Sequence, residues 1–247
     1  MPFTPAHAAI VLPLNYLPRK YVSISALVVG SMVPDFEYFI RMRPVSIYSH
    51  TLNGLFWFDV PLGFLLLILF DRFVRNILID NLPIFLNSRL VRYKHIHTVK
   101  PSLLRLFIIA SCLLIGAMSH LFWDAFTHVS GYFVTESLLS NITHIAGHTV
   151  PMFKILQHTS TLLGFVIIGY AIMQLPMEAV IVKKRIISFW ITITGTAILT
   201  VIIRLITGLS FTDYGSVIVS FITGGLLDLL IVGIYLRGTL NYEGKSN

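Results

Sequence analysis

The sequence predicts an all-α fold: a polytopic membrane helix bundle with five spans and an N-terminal helical hairpin. Hydrophobic residues make up 55% of the 247 residues, and Lys, Arg, Asp and Glu together make up only 12%. Soluble domains usually carry about 25% of these charged residues. The mean hydropathy of +0.81 implies more apolar surface than one soluble core can bury, which excludes an ordinary cytosolic protein. We predict a single membrane domain over residues 1–247.

Five apolar runs are long enough to cross the roughly 30 Å hydrocarbon core of a bilayer. The first contains Asp59 and Pro61 but otherwise resembles the other four. The predicted spans lie near 52–70, 103–126, 155–175, 186–206 and 216–236.

The first fifty residues form a hairpin and a loop in this prediction. Residues 5–17 and 22–33 are apolar, but each run is shorter than a full span. Pro18 begins a turn signal between them, so the two runs are expected to pair as a hairpin, either re-entrant or crossing a thinned edge of the bilayer. The start of its first helix and the end of its second then lie side by side, which brings His7 close to Asp35.

The basic residues divide unequally between the two sides of this topology. Fourteen of the 18 Lys and Arg residues fall on the side of loops 71–102 and 176–185 and of the C-terminal tail, and four fall on the other. Cytoplasmic loops carry the excess of basic residues in membrane proteins. The sequence therefore predicts an inner-membrane protein with a cytoplasmic C-terminus. The four outer residues are Arg41, Arg43, Lys154 and Arg204.

Histidines gather on the side that has few basic residues, where seven of the nine fall. The densest motif holds His120, Asp124 and His128 at intervals of four, which places them on one face of a helix. An imidazole and a carboxylate one turn apart can bind a divalent metal together. A hydrogen-bonded His–Asp pair that ties two helices together is the alternative.

Three further polar groups are predicted at the same face. Asp35 follows Pro34 at the end of the hairpin, with Glu37 two residues on, and His50 precedes the first span. His158 and Asp59 are expected to support the metal ligands, or to form hydrogen bonds between helices. The segment that carries His144 and His148 is predicted to be a loop. The seven outer histidines are His7, His50, His120, His128, His144, His148 and His158.

Other chemistries are excluded by what the sequence lacks. The single cysteine, Cys112, allows neither a disulfide framework nor a thiolate metal site. There is no Gly-x-Ser-x-Gly elbow, Walker loop or dinucleotide fingerprint. A nucleic-acid partner would need a soluble basic module, and no segment is long enough for one.

The order of these motifs resembles that of the membrane-bound metal-dependent hydrolases of bacteria, a group that includes the LexA-regulated inner-membrane type. The motifs are Pro-x-His, Pro-Asp, Ser-His and Ser-His-x-x-x-Asp, within residues 1–165. Their order is also distantly similar to that of zinc-dependent phospholipase C. The His-Arg-Gly-x-Thr-His-Ser string of many relatives is absent, which leaves open a mononuclear or incomplete site. The resemblance implies metal ligation by His7, Asp35, His50, His120, Asp124 and, with a weaker match, His128.

The leading hypothesis is a metal-dependent hydrolase with its site at the outer membrane face, acting on a lipid or phosphoester. The cofactor is a divalent metal with zinc favoured, and Asp35, Glu37 or Asp124, whichever is not a ligand, is the general base. The predicted partners are membrane lipid and an unidentified small-molecule or lipid substrate. Two alternatives remain: an ion- or proton-coupled transporter that uses Asp59 and Asp228, and a non-catalytic membrane scaffold.

Overall fold

The computed structural model describes residues 3–94, 102–136, 138–145, 147–180 and 186–243. Those residues are mainly helical, with one two-stranded sheet, which confirms the predicted all-α class. Within these described ranges, five helices are long and apolar enough to cross a membrane, as predicted. They are Leu52–Asp80, Leu103–Thr135, Met152–Met173, Ile186–Ile206 and Tyr214–Leu236.

The N-terminal segment consists of short helical pieces instead of two continuous helices. Pro13 has no amide hydrogen, so it cannot continue the α-helix that precedes it, and the chain tightens into a 3-10 turn there. The pieces are the 3-10 turns Thr4–His7, Leu12–Tyr16 and Val33–Asp35 and the helices α1 (Ala8–Val11) and α2 (Ile24–Gly30).

The first span is one continuous helical run with two π-helical turns. Pro61 cannot donate a backbone hydrogen bond, and the π-turn Leu55–Asp59 comes just before it. Helix continues through Asp71 and Arg75, where a loop was expected, and these two charged side chains pair one turn apart. Its segments are α4 (Leu52–Gly54), the π-turn Leu55–Asp59, α5 (Val60–Leu69), the π-turn Phe70–Val74 and α6 (Arg75–Asp80). Before the span comes α3 (Phe36–Arg41), and after it come α7 (Ile84–Leu90) and the 3-10 turn Val91–Tyr93.

The remaining chain contains the four other spans and the sheet. The strands β1 (Ile142–Ile145) and β2 (His148–Pro151) are antiparallel, and Gly147 makes the turn between them with a φ of +80°. His144 and His148 therefore lie on strands, which corrects the loop expected there. The helices are α8 (Leu103–Thr127), α9 (Tyr132–Thr135), α10 (Met152–Met173), α11 (Ile186–Ile206) and α12 (Tyr214–Glu243), with a 3-10 turn at Leu138–Ser140.

The chain divides into two compact units. The first comprises 1–35, 47–64 and 100–174, and the second comprises 36–46, 65–99 and 175–247. Several basic residues of the topology count lie outside the described residues, in 95–101, 181–185 and 244–247, and the side chain of Arg237 does so too.

In the first unit, α2 packs so closely along α8 that only glycine fits at two positions of the contact. A Cβ atom on Gly116 would lie 2.5 Å from the carbonyl oxygen of Leu27, and one on Gly30 would meet the backbone of Leu113. The amide of Ser23 donates to Cys112 Sγ at 3.3 Å. Residues 23, 27 and 31 thus face 112, 116 and 120 in turn, so the two helices run parallel in a constant register.

The turn of the hairpin lies near the beginning of α8. Arg105 Nη1 donates to the carbonyl oxygen of Arg19 at 3.2 Å. His120 is fifteen residues further along α8, or roughly 22 Å at 1.5 Å per residue. The N-terminal segment therefore follows α8 over most of its length, with the turn of the hairpin and the candidate ligands at opposite ends.

In the second unit, α11 and α12 form a close pair. A Cβ atom on Gly224 would lie 2.8 Å from the Cα atom of Ala197. Asp228 on α12 is buried, and Thr196 Oγ1 on α11 donates to its Oδ1 at 3.2 Å. A buried carboxylate inside an apolar span is costly unless it is neutralised or paired, so the Thr196 hydroxyl partly offsets its burial.

Candidate functional site: a buried His/Asp cluster

Five side chains from four separate segments converge in the first unit. His7 lies in the first 3-10 turn, Asp35 ends the turn after α2, His50 precedes α4, and His120 and Asp124 lie on α8. Two overlapping sets of three have donor atoms that all lie within 4.8 Å of one another. One set is His7, Asp35 and His120, and the other is His50, His120 and Asp124. His120 belongs to both. We call these five residues the His/Asp cluster.

Four donor atoms of the cluster form a closed ring of similar distances. His120 Nε2 lies 3.4 Å from Asp35 Oδ1 and 3.5 Å from Asp124 Oδ2. His50 Nε2 lies 3.7 Å from the same Asp35 oxygen and 3.6 Å from the same Asp124 oxygen. His7 Nε2 lies 3.6 Å from the other oxygen, Asp124 Oδ1.

These spacings are longer than hydrogen bonds, which bring N–H···O atoms to about 2.7–3.2 Å. They match the separation of two ligands of one ion. Nitrogen and oxygen ligands about 2.0–2.2 Å from a tetrahedral zinc ion lie roughly 3.3–3.6 Å apart. The cluster therefore has the donor types and the spacing that a divalent metal requires.

The inward-facing atoms of the cluster are buried and lack hydrogen bonds. Within the described part of the chain, His120 Nε2, Asp35 Oδ1, both carboxylate oxygens of Asp124 and both ring nitrogens of His7 have no hydrogen-bond partner. The side chains of His7, Asp35 and His120 are fully buried. Folded proteins rarely leave buried polar atoms in this state, and a bound ion would satisfy several of these atoms at once.

Hydrogen bonds on the far side of three cluster residues hold the donor atoms inward. His120 Nδ1 lies 2.7 Å from the carbonyl oxygen of Ser31, so Nδ1 is the donor and, in the neutral ring, Nε2 has the lone pair. Thr4 Oγ1 donates to Asp35 Oδ2 at 2.6 Å, opposite the oxygen that faces the cluster. His50 Nδ1 lies 3.0 Å from Ser49 Oγ. Such outer contacts orient ligands in known metal sites.

His7 has the protonation state that a metal ligand needs. Burial lowers its pKa from 6.5 to about 3; the nearby His120 also lowers it, while Asp124 and Asp35 oppose the shift. Its ring stacks on His120 with 3.8 Å between centroids. A neutral imidazole at pH 7 has a lone pair available for coordination.

Four of the predicted site residues lie outside both donor sets, among them His128 and His158. His128 follows α8, and its Nδ1 lies 3.0 Å from Ser130 Oγ. His158 is exposed on α10. Because α8 ends at Thr127, the four-residue spacing does not place His128 on the helical face that carries Asp124.

Glu37 and Asp59 are both buried, but neither belongs to a donor set of the cluster. Glu37 belongs to the second unit, and Arg41 Nε donates to its Oε1 at 2.7 Å. Asp59 is fully buried at the end of the π-turn. That turn packs against Val33–Asp35 and against α8, so Asp59 lies in a segment that contacts two ligand-bearing segments.

The residues that orient the ligands were not predicted from the sequence. Thr4 and Ser31 make two of the outer hydrogen bonds, and neither belongs to a recognisable ligand motif. Gly30 and Gly116 are the sequence signal that could have predicted the role of Ser31. Small residues on two helices indicate a close approach of their backbones, and Ser31 lies next to Gly30.

Together the fold and the cluster define a class: a helical protein with five candidate membrane spans and a buried His/Asp cluster able to hold a metal ion. The chain belongs to the DUF4184 family, a domain of unknown function, whose model matches residues 1–234. No curated protein and no solved structure matches the chain. The family description assigns no activity, so the resemblance to hydrolases rests on the motifs alone.

Proposed function

We propose that this protein is a metal-dependent hydrolase of the bacterial inner membrane and that the His/Asp cluster is its active site. The observation that carries the proposal is the spacing of the donor atoms: those of His7, Asp35 and His120 all lie within 4.8 Å of one another, and neighbouring His and Asp atoms of the cluster are 3.4–3.7 Å apart. If the His–Asp pairs only tied helices together, their atoms would close to hydrogen-bonding distance and satisfy each other. A non-catalytic scaffold gives no reason for the open spacing.

The buried set of His7, Asp35 and His120 is the proposed ligand set, because its side chains are the least exposed in the cluster. Three protein ligands and one open position are typical of catalytic zinc sites. When bound, such an ion lowers the pKa of a coordinated water towards about 7 and supplies a hydroxide nucleophile. Nitrogen and oxygen donors without thiolates also suit manganese or iron, and zinc is favoured.

Asp124 is the proposed general base. Its two oxygens lie between histidines, and its side chain is slightly exposed, whereas that of Asp35 is not. Glu37, the other candidate base, is bound to Arg41 and lies outside both donor sets. His50, with a side chain 16% exposed, lies beside the proposed base, with Nε2 3.6 Å from Asp124 Oδ2.

The site is proposed to face the outside of the cell. The support is the count of fourteen basic residues against four in the predicted loops. In the first unit, the turn of the hairpin with Arg19 lies at the beginning of α8, and the cluster lies near its end. A lipid or phosphoester substrate fits a site at that membrane face.

Metal analysis of the purified protein tests the proposal. Wild-type protein, purified in detergent without chelator, is expected to carry one divalent metal per chain by elemental analysis. His120→Ala is expected to carry none, because His120 belongs to both donor sets. His158→Ala is the matched control: it also removes an imidazole from a span of the first unit, but from an exposed position.

The hydrolase proposal would be refuted if wild-type protein holds no stoichiometric metal and binds none on titration with zinc, manganese or iron. The non-catalytic scaffold would then be the better account. If His120→Ala and His158→Ala retain the same amount of metal, the ion is bound elsewhere, and the cluster is not the active site.

A further inference from the structure

A second feature of the first unit adjoins the cluster. A cavity of about 160 Å³ lies between the N-terminal segment, α8 and α10. His7 lines it, as do Ile10, Trp123, Leu163 and Ile167. His7 therefore contributes to both the cavity wall and the cluster. We call this cavity the α10 groove.

The α10 groove offers almost nothing to a polar ligand. The His7 side chain is fully buried, and the other polar groups in the lining are the indole N–H of Trp123 and the hydroxyl of Ser160, which donates to the carbonyl oxygen of Leu156 in its own helix. A polar ligand would lose its hydrogen bonds to water there without replacement. The chemistry of the lining therefore selects hydrocarbon.

The groove is continuous with the apolar surface of a candidate span. Leu163 and Ile167 on α10 are 57% and 40% exposed, and α10 is long and apolar enough to cross a membrane. The volume is below the 300–1,000 Å³ usual for pockets that hold a whole drug-sized ligand. A single chain that enters from the bilayer fits these features better than a headgroup.

We propose that the α10 groove binds one acyl chain of an amphiphile whose polar end lies at the His/Asp cluster. The substrate is then a lipid-like ester or phosphoester, not a water-soluble phosphoester. That the bound chain belongs to a substrate rests on the proposed hydrolase. Binding of the chain itself rests only on the shape and apolar lining of the groove.

Fluorescence quenching of Trp123 tests the groove directly. The protein contains three tryptophans, so Trp57→Phe with Trp190→Phe leaves Trp123 alone as the reporter in its wall. The probe is a dibrominated stearic acid added to phosphatidylcholine vesicles that contain the metal-free protein. Bromine quenches tryptophan only at short range, and unbrominated stearic acid is expected to reverse saturable quenching by competition.

Ile167→Phe and Val166→Phe form a matched pair of variants in this background. Ile167 lines the groove, whereas Val166 is its neighbour in α10, 59% exposed and not part of the lining. Ile167→Phe is expected to weaken probe binding about tenfold, equivalent to excluding roughly two methylene groups. Val166→Phe is expected to bind the probe as the parent does.

Three outcomes would overturn the inference. Quenching that does not saturate, or that is equal in the two variants, means that bulk lipid touches Trp123 and no groove site exists. A change in oligomeric mass in Ile167→Phe but not in Val166→Phe means that a second copy of the chain covers the groove. Because the measurement uses metal-free protein, failure of metal binding refutes the hydrolase alone, and failure of the quenching test refutes the groove alone.

Discussion

His120 and Ser31 lie on opposite sides of the α2–α8 contact, with His120 Nδ1 2.7 Å from the carbonyl oxygen of Ser31. The bond is possible because Gly116, one turn before His120, lets the α2 backbone approach closely. Close packing between two apolar helices therefore determines which nitrogen of a buried histidine faces the cluster. The stability of this contact and the affinity for metal should change together.

Gly116→Ala tests that coupling. The new Cβ atom would lie 2.5 Å from the carbonyl oxygen of Leu27, so the helices must separate. Overpacking of this kind costs about 1–3 kcal/mol. We expect a lower Tm in detergent together with weaker zinc binding, measured on the same preparation.

Gly169→Ala is the control for Gly116→Ala. Gly169 also lies in a span of the first unit, and a Cβ atom there would meet nothing within 4 Å. Alanine is favoured over glycine in a helix by about 0.5–1 kcal/mol, so the Tm is expected to stay the same or rise. A Gly116→Ala protein as stable as this control would contradict the importance of the close approach.

Thr4→Val should weaken metal binding while leaving the fold intact. The Thr4 hydroxyl donates to Asp35 Oδ2 at 2.6 Å, and valine keeps the shape of the side chain without the donor. Loss of an outer hydrogen bond typically costs 10–100-fold in metal affinity, so we expect a zinc Kd weaker by about that factor. Isothermal titration would measure it.

Thr159→Val provides the comparison for Thr4→Val. Thr159 is exposed on α10, and its hydroxyl donates to the carbonyl oxygen of Ile155 in its own helix. Its replacement should leave the zinc Kd unchanged. Equal Kd values for the two valine variants would show that the Thr4 hydroxyl does not orient a ligand.

Asp35→Asn and Asp124→Asn should separate a ligand from a base. Asparagine keeps the shape of each side chain but removes the negative charge that a divalent ion requires. If His7, Asp35 and His120 are the ligands, Asp35→Asn should lose the metal, and Asp124→Asn should retain it with a zinc Kd within about tenfold of wild type. Retention by Asp35→Asn and loss by Asp124→Asn would instead assign the ion to His50, His120 and Asp124.

Asp228→Asn should leave the stability of the protein unchanged or increase it. Asp228 Oδ2 has no hydrogen-bond partner among the described residues, and Oδ1 accepts one bond from Thr196. Asparagine retains an acceptor for Thr196 and avoids a charge inside a span, where a charged group costs about 2.5–3.5 kcal/mol. A clear fall in Tm would mean that the carboxylate binds a cation or proton, as the transporter alternative requires.

The orientation of the chain can be tested with C-terminal fusions. The distribution of basic residues predicts a cytoplasmic C-terminus. A green fluorescent protein fusion should therefore be fluorescent, and an alkaline phosphatase fusion should be inactive. The reverse pattern would place the cluster on the cytoplasmic side and remove the outer-face part of the proposal.

Hydropathy and helical spacing predicted the five spans and the pair of His120 and Asp124. Both signals act within one helix, where a single sequence is most informative. The end of α8 at Thr127 depends on local turn structure, so the four-residue spacing could not show that His128 lies just beyond the helix that carries Asp124. The turn at Gly147 and its strands were missed because their hydrogen bonds join two short segments without hydrophobic alternation.

The end of the first span could not be predicted correctly from the sequence, for a different reason. Asp71, Arg72 and Arg75 are typical of a loop beside a membrane, so the predicted span ends at residue 70. In the structure the helix continues to Asp80, and Asp71 and Arg75 neutralise each other one turn apart. Charge patterns indicate where a membrane ends, but a helix can extend beyond the bilayer.

The parallel register between α2 and α8 has a consequence for biosynthesis. Residues 23, 27 and 31 contact partners that are synthesised 89 positions later, as Ser31 contacts His120. Ribosomes add about 5–20 residues per second, so this delay is roughly 4–18 s. During that time the N-terminal segment lacks the surface on which it folds and exposes apolar side chains that a chaperone or the insertion machinery must shield. Slowing translation before α8 should therefore increase degradation of the nascent chain more than the same pause placed after it.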